Sequence, residues 1–247
     1  MEWIYGYHAV YARLHYSTEN VRTLYLRFNR QDQRVQSLLE LAEKANVPVI
    51  RLTKKKFDTL LGKGPVHQGI ALECEILKSF DESALKILLS KKAFASNIPV
   101  LLLVLDGVQD PHNLGACIRS ANAMGAHAVI APEGRSVSIT ATVKKVACGA
   151  VDVTPFIQVK NLARTLRFLQ KKGIWIVGAS EKAEIPLKEL DLSGDTAIVV
   201  GGEHQGMRRL TVRHCDFLAH VPMLGSVSSL NISAVTSVFL YEAQRQR

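Results

Sequence analysis

Asn113 and Arg119 stand six residues apart in the segment DGVQDPHNLGACIRS, residues 106–120, where two acids and a proline precede a stretch with helical spacing. Asn113 is expected to cap that helix. Arg119 then falls within its first turns, close enough to share a site with the loop. A second segment, GGEHQGMRR at residues 201–209, sets glycines on both sides of a carboxylate. Without Cβ atoms the backbone there can approach a ligand closely while presenting Glu203 to it. A third, PMLGSVSSLNISAV at residues 222–235, offers Gly225, small hydroxyl side chains and an accessible backbone before a helix that begins near Asn231. Taken singly, each segment also reads as ordinary strand-to-helix chemistry: a capped helix with an exposed arginine, a glycine turn, a serine-rich cap.

These segments share a position relative to the elements around them. Each directly follows an apolar run, VLLLVL, AIVV or FLAHV, and in open parallel sheets ligands sit beyond the carboxyl ends of the strands. Strands are expected at residues 100–105, 128–131, 174–178, 197–201 and 217–221. Helices are expected between and after them at 114–124, 142–148, 161–172, 208–215 and 231–244. Strand–helix alternation with fully apolar strands predicts a parallel sheet covered on both faces. Before residue 76 the pattern is a smaller α/β unit: VRTLYLRF at 21–28 alternates like a strand, 36–45 has helical spacing, and VPVIRL at 47–52 is strand-like again. The organisation read from this is an N-terminal domain at 1–76, a connector with one short amphipathic helix at 77–98, and a second domain at 99–247.

Lys and Arg total 31 against 22 Asp and Glu in 247 residues, a net charge of +9 that favours a polyanionic partner without requiring one. Both halves are mildly basic, and hydrophobic residues at 47% suffice for a full core rather than disorder. Cys74, Cys117, Cys148 and Cys215 stand far apart with no C-x-x-C pair, so no metal is expected. The N-terminal MEWIYGYHAV carries an acid and no long apolar core, and the longest strongly apolar run, 98–105, is far too short to span a bilayer. A reducing, cytoplasmic setting without a membrane is the expectation. No G-x-G-x-x-G follows the strand at Val100, and neither a phosphate-binding G-x-x-x-x-G-K-[ST] nor a hydrolase G-x-S-x-G occurs.

In this order and at these intervals the three segments resemble the signature motifs of the SpoU-type RNA 2′-O-ribose methyltransferases, a branch of the SPOUT superfamily. DPHNLGACIRSA, TATVKKVACGA at 140–150, NLARTLRFLQ and SVSSLN carry the likeness, with IYGYHAV near the N-terminus and VHQGI at 66–70 extending it over nearly the whole chain. The nearest likeness is to the bacterial subgroup that methylates a guanosine 2′-hydroxyl in 23S ribosomal RNA. Departures are small: His204 and Gln205 fill the glycine turn, and Val221 stands where the family commonly has Ile.

The resemblance implies S-adenosylmethionine as methyl donor, 23S ribosomal RNA as partner, and a homodimer. It implies a C-terminal parallel-sheet domain with a deep trefoil knot and a small N-terminal α/β domain of the ribosomal-protein-like, RNA-binding kind. Asn113 and Arg119 match the first catalytic motif, Glu203 the second, Ser229 and Asn231 the third. Gly202, Val221 and Leu230 match cofactor-contacting positions, and Met223 and Gly225 line the same pocket. A guanidinium has a pKa above about 12 and rarely gives up its proton, so Arg119 is assigned to the target phosphate and the developing alkoxide, with a phosphate oxygen or water taking the proton. Asn113, Ser229 and Asn231 would orient ribose and loops, and Glu203 would fix Arg119 or the loop architecture. Two alternatives stand beside this reading: methylation of a transfer RNA ribose, and a non-catalytic ribosome-assembly factor that kept the fold.

Overall fold

The computed structural model describes residues 2–16, 18, 20–30, 32–62, 67–75, 82–95, 98–203 and 205–247. The start of the expected connector at 77–81, Val66 of VHQGI and His204 lie outside the described residues. The chain divides into two compact units, one of Met1–Lys78 with Cys148–Val153, the other of Ser79–Ala147 with Thr154–Arg247.

The first unit runs β1 (Glu2–Tyr5), α1 (Tyr7–Tyr16), β2 (Val21–Arg27), α2 (Gln33–Lys44), β3 (Val49–Leu52), α3 (Lys54–Leu61) and β4 (Ile70–Cys74). Its sheet has the order β1-β4-β2-β3, antiparallel except for the β2–β3 pair. The alternation in VRTLYLR turns Leu24 and Leu26 inward, fully buried with Leu38, Ile70 and Leu72. Arg13, buried on α1, donates from Nη1 to the carbonyl of Asp152 at 2.8 Å, which helps explain why a segment so distant in sequence belongs to this unit.

The second unit runs α4 (Glu82–Ala95), β5 (Leu101–Asp106), α5 (Pro111–Ala123), β6 (Ala128–Pro132), α6 (Ala141–Ala147), β7 (Phe156–Val159), α7 (Leu162–Lys171), β8 (Trp175–Ala179), β9 (Ile185–Pro186), β10 (Thr196–Gly201), α8 (Arg209–Arg213), β11 (Phe217–His220) and α9 (Ile232–Arg245). The sheet is parallel, in the order β7-β6-β5-β10-β8-β11-β9. Every residue of β5 is buried, as a central strand with both faces covered requires. The helix of the expected connector is α4, and its Leu85 and Leu89 are buried in the core formed by Leu102, Ile130, Ile157 and Leu166.

Two sequence expectations change. The helix after β5 begins at Pro111, not near Leu114, and its cap is Asp110, whose Oδ1 accepts from the backbone N–H of His112 at 2.9 Å. Proline at the first helical position, with its φ already helical and no N–H to leave unpaired, sets this start. Asn113 therefore lies inside the first turn instead of capping it. Strands β7 and β9 were not expected; the first is only FIQV and the second only two residues. Among the described residues no helix is long and apolar enough to cross a membrane.

Candidate functional site

Because the strands of the second unit are parallel, the segments after β5, β10 and β11 leave the same end of the sheet. Asp110 fixes the start of α5 and so places Asn113 over that end. Beyond β10 the chain doubles back: Gly202 N–H donates to the Asp106 carbonyl at 3.1 Å, and Gly206 N–H donates to the Gly202 carbonyl at 2.8 Å. A Cβ on Gly201 would stand 2.1 Å from backbone atoms of Gly206 and Met207, and one on Gly202 would stand 2.7 Å from the Gly107 carbonyl. Only glycine permits this turn, which raises Glu203 at its tip.

Asn231 caps α9, its Oδ1 accepting from Ser233 N–H at 2.9 Å and from Ser233 Oγ at 2.6 Å. The other half of the same amide faces the neighbouring loops: Nδ2 donates to Asn113 Oδ1 and to Glu203 Oε1, each at 3.3 Å. Asn113 Nδ2 also donates to Glu203 Oε1. Asn113, Glu203 and Asn231, separated by 90 and 28 residues in sequence, thus form one hydrogen-bonded cluster. Contacts between α5 and α9 hold its base, where Ser120 and Ser237 share a 2.8 Å hydrogen bond and Cys117 Sγ lies 3.5 Å from Thr236 Oγ1. Burial pushes the Cys117 thiol up to about 11, so it stays a neutral packing group.

A second pair supports the site, and sequence reasoning did not single it out. The Asp106 side chain is fully buried at the end of β5, where it accepts from the backbone N–H of Arg208 at 2.9 Å and from Arg208 Nε at 2.6 Å. An acid closing a wholly apolar strand was the available signal, since a buried carboxylate needs a partner. The pair ties β5 to the far end of the glycine turn. Beside it opens a cleft of about 580 Å³ lined by Gln109, Asp110, Arg135, Glu203, Arg208 and Ile232, among others.

The remaining expected residues are not drawn into the cluster. Arg119 is exposed, about 120° around and roughly 9 Å along the helix from Asn113, and among the described residues it makes no hydrogen bond or ion pair. Glu203 is accordingly bonded to Asn113 and Asn231 and not to Arg119. Ser229 and Gly225 are exposed, and Val221, Met223 and Leu230 are half-buried. Of the expected cofactor contacts, Gly202 lines the cleft, while the other four lie on the 221–230 loop outside it. That loop leaves β11, which is separated from β10 by β8. The described residues hold no group of His, Cys, Asp and Glu able to bind a metal ion.

Residues 100–241 match the SpoU rRNA Methylase family, and residues 3–80 match the RNA 2′-O ribose methyltransferase substrate binding family. The chain is 53% identical over 244 residues to the 23S rRNA (guanosine-2′-O-)-methyltransferase RlmB of Coxiella burnetii, covering 99% of this chain and 95% of that protein. It is 49% identical over 246 residues to RlmB of Pseudomonas aeruginosa, covering 100% and 97%. The SpoU methyltransferase AviRb from Streptomyces viridochromogenes, solved in complex with AdoMet, superposes with a TM-score of 0.72 at 22% identity, covering 99% of this chain and 89% of that one. By its match over residues 100–241 and its identity to these full-length relatives, the chain belongs to the SpoU rRNA methylase family.

Proposed function

We propose that this protein transfers a methyl group from S-adenosylmethionine to the 2′-hydroxyl of a guanosine in 23S ribosomal RNA. The observation that carries the reading is the meeting of Asn113, Glu203 and Asn231 at the carboxyl end of the sheet in a chain of this family. The substrate follows the relatives, which are named as 23S rRNA guanosine-2′-O-methyltransferases across nearly their whole length. Residues 1–76 serve as the RNA-binding domain, 77–98 as the connector and 99–247 as the methyltransferase domain, a division supported by the family matches at 3–80 and 100–241.

The residues fit the methyl donor. Among the described residues, none of 221–230 takes part in a hydrogen bond, so the loop's backbone donors and acceptors are open to a polar ligand. Met223 and Leu230 supply apolar surface, and Gly202 allows close approach. Val221, Met223, Gly225, Leu230 and Gly202 would hold the donor, which supplies an electrophilic methyl carbon on a sulfonium. The chain's part is positioning: Asn113 and Asn231 fix the Glu203 turn, and Ser229 with these amides orients the ribose. Arg119 holds the target phosphate and stabilises the alkoxide character at O2′, while the proton leaves to a phosphate oxygen or water.

The working form is a cytoplasmic homodimer with its C-terminal domain knotted. Support for a second copy comes from α9, where Val238 and Tyr241 are exposed, and from Arg119, which stands free on the neighbouring helix of the same pair. Support for the knot comes from the chain's return after β11, across to α9 on α5, with Asn231 held between the segments that follow β5 and β10. The test is incubation with labelled S-adenosylmethionine and total RNA from cells lacking the gene, followed by separation of the ribosomal and transfer RNA and digestion of each to nucleosides. Labelled 2′-O-methylguanosine is the expected product. Label appearing only in transfer RNA would replace the substrate, and donor binding without transfer to any RNA would leave a non-catalytic assembly factor.

A further inference from the structure

We infer that the cleft framed by the segments after β5, β6 and β10 receives the base of the acceptor guanosine, with Arg135 reading its O6 and N7. The inference rests on the proposed methyltransferase reading and goes beyond it by naming a base-recognition site. In the sheet, β10 has β5 and then β6 on one side, and β8 and then β11 on the other. The loop proposed for the methyl donor follows β11. Most of the cleft lies towards the opposite side, lined by Gln109 and Asp110 after β5, Arg135 after β6, and Glu203 and Arg208 after β10, with Ile232 at the start of α9 the one lining residue that comes from beyond β11. The turn bearing Glu203 therefore stands between two sites. A ribose reaching the cluster from the cleft side has its base in the cleft.

The polar groups in the cleft are not equivalent. Arg208 is held by Asp106, and Asp110 uses Oδ1 for its helix cap. Among the described residues the side chains of Arg135 and Gln109 make no hydrogen bond or ion pair, and both residues are exposed. Open to a ligand are thus a guanidinium fork, a side-chain amide and the second oxygen of Asp110. Guanine presents the complementary set, two adjacent acceptors at O6 and N7 and donors at N1 and N2. Adenine places an amino donor where O6 would be, which sets donor against donor at the fork. The volume of about 580 Å³ falls within the range of small-ligand sites.

The test compares two transcripts of the 23S segment mapped as the methylation site, one with guanosine and one with adenosine at the target. Wild type, Arg135→Ala and Arg135→Lys are assayed on both. The Arg135→Ala variant should lose about 5- to 150-fold in kcat/KM on the guanosine transcript, and its preference for guanosine over adenosine should collapse by a similar factor. S-adenosylmethionine affinity should stay unchanged. Lysine keeps the charge but not the fork, so Arg135→Lys should fall between. Equal loss on both transcripts with the preference retained would overturn the assignment, as would an unaltered rate in Arg135→Ala. If wild type methylates no ribose in 23S RNA, the methyltransferase reading itself fails and takes the inference with it.

Discussion

The carboxylate of Asp106 holds Arg208 at three atoms, accepting from its backbone N–H at 2.9 Å and from its Nε at 2.6 Å, with Nη2 paired to the same Oδ1 as Nε. The aspartate side chain is fully buried while that of the arginine is 34% exposed. The two positions are 102 residues apart, and between them the pair clamps the root of the turn that carries Glu203. Removing the arginine side chain leaves a buried carboxylate with one backbone donor. Arg208→Ala should therefore lose about 3 kcal/mol of stability, the lower end of the cost of breaking a buried pair, because that donor remains. Urea unfolding of both proteins checks this; a change under about 0.5 kcal/mol would mean that the pair is not a structural clamp.

Asn231 carries two functions in one amide, and a single substitution separates them. Asn231→Asp keeps an oxygen to accept from Ser233 N–H, so the cap of α9 survives. It loses the Nδ2 donor and sets a second carboxylate against Glu203. Stability should stay within about 0.5 kcal/mol on thermal melting, while methyl transfer falls about a hundredfold as the turn shifts. Asn231→Ala should also lose the cap, about 1 kcal/mol. An active Asn231→Asp enzyme would remove the cluster from catalysis.

Arg119 is exposed and without a partner among the described residues, so its truncation should leave the fold intact. Arg119→Ala is expected to abolish methylation with stability within about 0.5 kcal/mol of wild type and donor binding unchanged. Turnover measured alongside calorimetric titration of S-adenosylmethionine decides it. Near-normal turnover would discard the role assigned to this residue.

Much of the second unit was legible because β5, β6, β8, β10 and β11 are short apolar runs bounded by polar loops. Their expected limits lie within a residue of those observed. FIQV and the two-residue β9 fell below what periodicity can register, and β1, α1, α3 and β4 of the first unit were not drawn. Within the site, the polar segments after three of the strands were visible, as was the start of α9 at Asn231. Asn113 was misread as a cap because Asp110 and Pro111 set the helix three residues earlier. The Asp106–Arg208 pair was missed for a general reason: local pattern shows that an acid ends an apolar strand, but not which cation will meet it 102 residues later.

Burial of the thiols makes stability fall in alkali. Cys117 is fully buried on α5, and burial pushes its thiol up to about 11 from the ordinary 9.0; burial likewise pushes Cys215 up to about 12. In the unfolded chain each thiol loses its proton near pH 9.0, whereas the folded state retains it. The unfolded state therefore binds fewer protons above that pH, and stability, full below it, declines as pH rises towards the folded values. Each thiol contributes at most about 1.4 kcal/mol per pH unit to that slope. Urea unfolding between pH 8 and 10.5 should show the decline in wild type. Cys117→Ala removes one titrating group, so it should start lower at pH 8 from the lost packing yet fall less steeply. Parallel curves for the two proteins would show that this thiol does not titrate differently on folding.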